Sequence, residues 1–318
     1  MIINTGMRTD IPAFYATWLL NRIQEGFVYV RNPYYPNQVT KYSLNPDVVD
    51  CLAFCTKNPH PLIPHLSELD KYHQFWFVTI TPYGKDIEPN VPDKKQVIED
   101  FKKLSEHLGA DSVALRYDPI FMDKKFNVDM HVKCFKKLLQ ELKGYTHDCT
   151  ISFLDLYEKV KRNAPSLRPP NEEEEKILAK EFARIGKENG ITIHACCEKE
   201  SLAEYGIDIT GCMSQEIVEK AIHHPLNVHK RQSQRAVCNC VLGNDIGAYN
   251  TCPHLCKYCY ANANAGLVRE NMKKHHPKSP FLIGGMEEGD KVTEAKQRSW
   301  IVTKNEMSNN EQIRLINE

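Results

Sequence analysis

Read from the amino end, the chain alternates short apolar runs with longer stretches of helical periodicity. Ile2-Ile3-Asn4-Thr5 opens as a short strand, followed by a glycine-containing loop from Gly6 to Pro12 and a helix over Phe14 to Gln24 that ends at Gly26. Val48 to Phe54 has the apolar run of a buried strand and leads into Thr56-Lys57-Asn58-Pro59. Gln74 to Thr81 is rich in aromatic and β-branched residues, which predicts a strand stopping at Pro82. Lys94 to His107 sets Val97, Phe101, Leu104 and Leu108 on one helical face. Ser112 to Arg116 predicts a strand that stops at Asp118-Pro119, His131 to Leu142 an amphipathic helix, and Cys149 to Leu154 another strand. Asn171 is a good N-cap, with Glu174 at the capping-box position and Glu172 to Glu175 at the favourable end of the helix dipole. That helix runs to about Asn189 and stops at Gly190, before a last strand over Ile191 to Ala195.

Repeated strand–loop–helix units imply an α/β fold with a parallel sheet and right-handed crossovers. A partial (β/α) TIM-like barrel is the expected form. The strand-end loops Arg8-Thr9-Asp10, Lys57-Asn58, Tyr83 to Glu88, Arg116-Tyr117-Asp118 and His194 to Glu198 would then share the carboxyl face, where barrels carry their sites. After about Asp290 the chain is polar and rich in Lys, Glu and Asn, which predicts a helix or a frayed tail.

Composition narrows this little. With 42% hydrophobic and 26% charged residues the chain is an ordinary globular one. Arg8 and Asp10 stand where a signal peptide needs an apolar core, and no apolar run approaches a membrane span. A cytoplasmic protein without a membrane partner is expected. The 41 basic and 41 acidic residues cancel, so nucleic acid could be bound only at a local patch. His223, His224, His229, Lys230, Arg231 and Arg235, with Lys273, Lys274, His275, His276 and Lys278, are the candidates for one, against ordinary surface charge.

The twelve cysteines change the picture. Cys51, Cys55, Cys134 and Cys149 lie in apolar patterns and read as core. The other eight crowd between Cys196 and Cys259, and clustered cysteines in a chain without an export signal read as metal or redox ligands. Cys252-Pro253-His254-Leu255-Cys256-Lys257-Tyr258-Cys259 has the spacing C-x3-C-x2-C. Three thiolates from one loop can hold three irons of a 4Fe–4S cluster and leave the fourth open to substrate. Zinc, which also takes closely spaced thiolates, is the inorganic rival. Cys196, Cys212, Cys238 and Cys240 could build a second, closed 4Fe–4S cluster, with Cys197 as the alternative to Cys196, or could be packing residues.

This motif, with an aromatic residue before the last cysteine, resembles the hallmark of radical S-adenosylmethionine (SAM) enzymes. Asn250-Thr251-Cys252 through Tyr258-Cys259-Tyr260-Ala261-Asn262 is similar to the spore photoproduct lyase branch of that superfamily. The chain as a whole resembles domain-of-unknown-function family 1848, through Arg8 to Tyr15, Thr56 to Pro59, Thr81 to Gly84, Ile87 to Pro92 and Asp245 to Thr251. Radical SAM enzymes carry the three cysteines after the first barrel strand, whereas here they come late. A circular permutation is expected, with the strand at Asp245 to Asn250 placed last in the chain; a cysteine-rich appendage on an ordinary barrel is the plainer reading. The implied layout is barrel units over 1–195, a cysteine-bearing insert over 196–240, the permuted first strand, cluster loop and helix over 241–290, and a polar tail over 291–318.

The resemblance implies SAM as cofactor beside the 4Fe–4S cluster, with reductive cleavage to a 5′-deoxyadenosyl radical. It also implies an electron donor such as flavodoxin or ferredoxin, and a substrate tilted toward nucleic acid or nucleotide. Tyr258 is placed against the adenine or as a wedge fixing the loop; Arg8 and Asp10 beside SAM's carboxylate and ribose, or as a loop-closing pair; Lys57, Glu88, Arg116 and Asp118 as further contacts. Gly284-Gly285 invites comparison with a SAM-binding glycine motif or reads as a turn. A non-catalytic or electron-transfer iron–sulfur protein, and a zinc-binding barrel protein, are the alternatives.

Overall fold

The computed structural model describes residues 1–228, 238, 240–241 and 243–302. Its strands are β1 (Ile2–Asn4), β2 (Phe27–Arg31), β3 (Gln38–Ser43), β4 (Cys51–Thr56), β5 (Gln74–Thr79), β6 (Val113–Ile120), β7 (Asp148–Phe153), β8 (Thr192–Ala195), β9 (Asn244–Asp245) and β10 (Lys291–Glu294). Its α-helices are α1 (Ile11–Phe14), α2 (Ala16–Glu25), α3 (Lys94–Leu108), α4 (Val128–Glu141), α5 (Glu158–Asn163), α6 (Glu172–Asn189), α7 (Gln215–Ile222) and α8 (Ala265–Lys273). Short 3₁₀ segments cover His60–Leu69 and Glu200–Tyr205.

Seven strands form one parallel sheet in the order β8-β7-β6-β5-β4-β1-β9. Its centre is buried on both faces, as the unbroken run Phe75-Trp76-Phe77-Val78 of β5 requires. Alternate residues divide the two cores. Ile3, Leu52, Phe54, Trp76, Val78 and Leu115 face the layer built on α2, α3, α4 and α6. Ile2, Cys51, Ala53, Phe75, Phe77 and Ala114 face the other way and pack with Cys212, Met213 and the apolar side of α7.

The α/β expectation holds with a parallel sheet; among the described residues the sheet is open and does not close into a barrel. β8 and β9 are its two edges, and the outer side of β8 is occupied by an isolated bridge from His194 to Asp208. The face a barrel would turn inward is filled by α7 and the cysteine-bearing chain beside it.

β9 lies beside β1, in register Ile3 with Asn244 and Asn4 with Asp245. The late strand is therefore the spatial neighbour of the first, but it is only two residues long; the expected strand to Asn250 is loop after Asp245. Gly243 makes this contact possible: a Cβ there would sit 2.0 Å from the Ile2 carbonyl oxygen.

Other expectations shift at their ends. β6 continues past Asp118-Pro119 to Ile120 instead of stopping there. The Asn171 capping box forms in full, with Glu174 N donating to Asn171 Oδ1 at 3.0 Å and Asn171 N donating to Glu174 Oε2 at 2.8 Å. The polar stretch after Asp290 is neither helix nor tail at its start. Lys291–Glu294 forms β10, parallel to β3, in a three-stranded sheet completed by the antiparallel β2. That strand is exposed at every residue, so burial gave no signal for it; the free edge of β3 supplies its partner. Residues 303–318 of the expected tail lie outside the described residues.

Candidate metal centre

Because all seven strands are parallel, the loops after β1, β4, β5, β6, β8 and β9 leave the sheet on one edge. The segment after β9 reaches Cys252 within seven residues. Asn250 (φ 58°) and Leu255 (φ 56°) turn the chain through the left-handed region, which costs Asn little and Leu more. Asn250 N donates to Ala261 O at 2.9 Å, and Asn262 Nδ2 to Cys252 O at 2.7 Å, so the two ends of the loop are stapled together. Tyr15, from the turn between α1 and α2, adds a hydrogen bond from its hydroxyl to Thr251 O at 2.6 Å.

Two buried carboxylates fasten the loop to the sheet. Asp10 caps α1 through Ala13 N and also accepts Thr56 Oγ1 at 2.7 Å, Lys57 N at 2.8 Å and His254 Nε2 at 2.9 Å. Glu88 accepts Lys57 Nζ at 2.9 Å, Thr81 Oγ1 at 2.8 Å, Lys94 Nζ and the Tyr258 hydroxyl. Burial favours the neutral acid at Glu88, but Lys57, Lys94 and the hydrogen bonds outweigh it and hold its pKa down at about 2. Asn90 grips the same loop, donating from Nδ2 to Pro253 O at 2.7 Å.

Tyr258 is thus directed inward. Its ring packs with Tyr83, Ile87, Phe121 and Phe126, and its hydroxyl donates to Glu88. Burial pushes the thiols of Cys252, Cys256 and Cys259 up, Cys256 to about 12 despite the Lys57 ammonium nearby. Cys252 and Cys256 each also feel the charge of Cys259.

Arg8 and Asp10 do not pair. Arg8 Nε meets Asp245 Oδ2 at 2.6 Å, and its guanidinium lies 5.9 Å from the centre of the Tyr249 ring. It lines an open cleft of about 750 Å³ with Arg31, Tyr157, Lys159, Tyr249 and Tyr260, the last adjoining Cys259. Arg116 and Asp118 form a separate half-buried pair, Nε to Oδ2 3.1 Å, over the ring of Phe77. The expected contacts therefore separate: Asp10, Lys57, Glu88 and Tyr258 gather at the loop, Arg116 and Asp118 stand apart from them, and Arg8 lies at the cleft.

The second cysteine set converges beside Arg116. Cys212 Sγ is 3.4 Å from Cys196 Sγ and 3.5 Å from Cys240 Sγ. Cys238 hydrogen-bonds Cys240, and Cys197 hydrogen-bonds Cys196, so Cys196 rather than Cys197 reaches Cys212. No disulfide joins the described cysteines. Among the described residues no three Cys, His, Asp or Glu side chains are already disposed about one metal-sized point.

Of the early cysteines, Cys51 and Cys149 are fully buried, while Cys55 and Cys134 are half-buried. Gly284 is a left-handed turn residue, and the Gly285 carbonyl accepts Arg31. Of the expected basic patch, His224 packs on His73 and His275 on Tyr15, while His229, Lys230, Arg231 and Arg235 lie outside the described residues. No helix among the described residues is long and apolar enough to cross a membrane.

Sequence reasoning passed over His254, Lys94, Thr56, Thr81, Asn90 and Asp245. His254 stands inside the cysteine motif and Lys94 at the start of a helix; only the fold shows that both meet buried carboxylates.

The family model described as Domain of unknown function (DUF1848) matches residues 2–261. The chain belongs to this family. In this DUF1848 member the matched region runs from β1 through the whole cysteine loop, so it spans the seven-stranded sheet and both carboxylate anchors. No curated protein and no solved structure matches the chain.

Proposed function

We propose that the cysteine loop holds an open-iron 4Fe–4S cluster and that the protein is a radical SAM enzyme. The observation that carries this is the placement of the C-x3-C-x2-C loop: it follows an edge strand of a parallel sheet, with its backbone tied at both ends. The donor set fits the group, since three neighbouring thiols with no disulfide suit three irons of a cluster. The strand order supports it as well, because β9 beside β1 is the order of a permuted barrel start.

Cys252, Cys256 and Cys259 would hold the cluster, which with SAM supplies a 5′-deoxyadenosyl radical for hydrogen abstraction. The protein's own share is orientation and charge. Glu88 holds Lys57 near Cys256, so one ammonium faces the thiolate that metal binding creates. Asp10 fixes His254 and with it the first turn of the loop. With four donors on its carboxylate, Asp10 is a positioning residue rather than a ribose contact. Arg8 at the cleft is the candidate for an anionic group of SAM or substrate. Such an enzyme needs a one-electron donor of the flavodoxin or ferredoxin type.

Anaerobic reconstitution tests this directly. The reduced protein should show a cluster EPR signal that shifts when SAM is added, and should release 5′-deoxyadenosine with dithionite. A reduced cluster indifferent to SAM would leave an electron-transfer protein instead.

A further inference from the structure

We infer that Cys196, Cys212, Cys238 and Cys240 bind a single zinc-class ion, a structural centre separate from the cysteine loop. The four come from three stretches of chain: the end of β8, the turn before α7, and the segment before β9. Buried cysteines that serve as packing have apolar neighbours. Here the sulfurs form a row, Cys196–Cys212–Cys240 at 3.4 and 3.5 Å, with Cys238 hydrogen-bonded to Cys240. Two N–H groups are aimed at them as well: Arg116 Nη1 lies 3.7 Å from Cys212 Sγ, and Met213 N lies 3.3 Å from Cys240 Sγ. N–H donors on sulfur are what a thiolate needs and a packed thiol does not.

The spacing selects the ion. Zinc with tetrahedral thiolates at about 2.3 Å sets its sulfurs about 3.8 Å apart. A cubane cluster caps a different iron with each thiolate and spreads them much wider. Separations of 3.4 and 3.5 Å lie near the first and far from the second. The setting suits a structural role. All of Cys212, Cys238 and Cys240 are under a tenth exposed, against the sheet face that α7 covers. A tetrathiolate ion would tie Cys238 and Cys240 to β8. The closed ligand set leaves no position for substrate.

The test separates this centre from the loop. The full-length variant C252S/C256S/C259S, purified anaerobically, should be colourless and retain about one zinc per chain. Adding C212S and C240S should remove it. A brown triple variant with acid-labile sulfide, or one with no bound metal, would overturn the inference while leaving the loop's role untouched. Zinc-edge X-ray absorption on the unaltered protein reads the same question without any variant. Four sulfur neighbours at about 2.3 Å support the centre; absence of zinc, or oxygen and nitrogen neighbours alone, overturns it.

Discussion

Glu88 is 1% exposed, carries its charge between two lysines, and receives the hydroxyl of the residue before the third loop cysteine. Removing that charge leaves the half-buried ammonium groups of Lys57 and Lys94 without their buried partner, a loss approaching the about 3–5 kcal/mol of a broken buried pair. Glu88→Gln should therefore lower the urea midpoint strongly, while Tyr258→Phe, which deletes one hydrogen bond to a charged group, should cost about 1.5–3 kcal/mol. Equal, small effects of the two would show that the hub does not anchor the loop. The sequence made Lys57, Glu88 and Tyr258 visible as separate strand-end residues but not as one network. Their mutual contacts depend on the register of β4 with β5, which places Thr56 level with Val78 and sends both following loops toward the same point. Arg8 and Asp10 illustrate the same limit. Neighbours in sequence, they part to Asp245 and His254, more than two hundred residues away along the chain.

At the scale of elements, legibility followed periodicity and burial. α6 was readable from end to end because its cap, its acidic first turn and its terminal glycine are all local. β9 was readable in place but not in length, since two residues have no period, and β10, exposed throughout, has no burial pattern. The contrast predicts different consequences for two small changes. Asn171→Ala should cost about 1 kcal/mol through the lost cap and leave the metal content unchanged, as measured by denaturation and metal analysis. Gly243→Ala acts at the opposite pole. Its methyl would meet the Ile2 backbone, so β9 must move off β1, and the cysteine loop moves with it. The expected result is an overpacking loss of about 1–3 kcal/mol together with reduced iron incorporation. Normal iron content in this variant would show that the loop does not depend on the β9–β1 contact.

The whole molecule joins a buried sheet centre to a cysteine-bearing edge of low ladder content. β4, β5 and β6 are packed on both faces, whereas β9 contributes two residues and the loop after it is held by side-chain staples. Local opening free energy follows buried contact and backbone pairing, so the two regions should differ in hydrogen exchange. Removing iron by anaerobic chelation should release protection in residues 244–262 and leave 74–79 and 113–120 as they were. The same chelation should spare residues 192–196 and 212–222 if the second cysteine set holds its own ion and the chelator is iron-selective. The strand order makes this a demanding expectation. A cluster placed after the edge strand β9 can stiffen that edge, but Phe54 stacked on Trp76, with centroids 4.0 Å apart, keeps the centre closed without it. Loss of protection across β4 to β6 on iron removal would mean instead that the metal supports the fold as a whole. In that case the Glu88 and Asp10 anchors would be transmitting strain into the sheet rather than holding a loop against it.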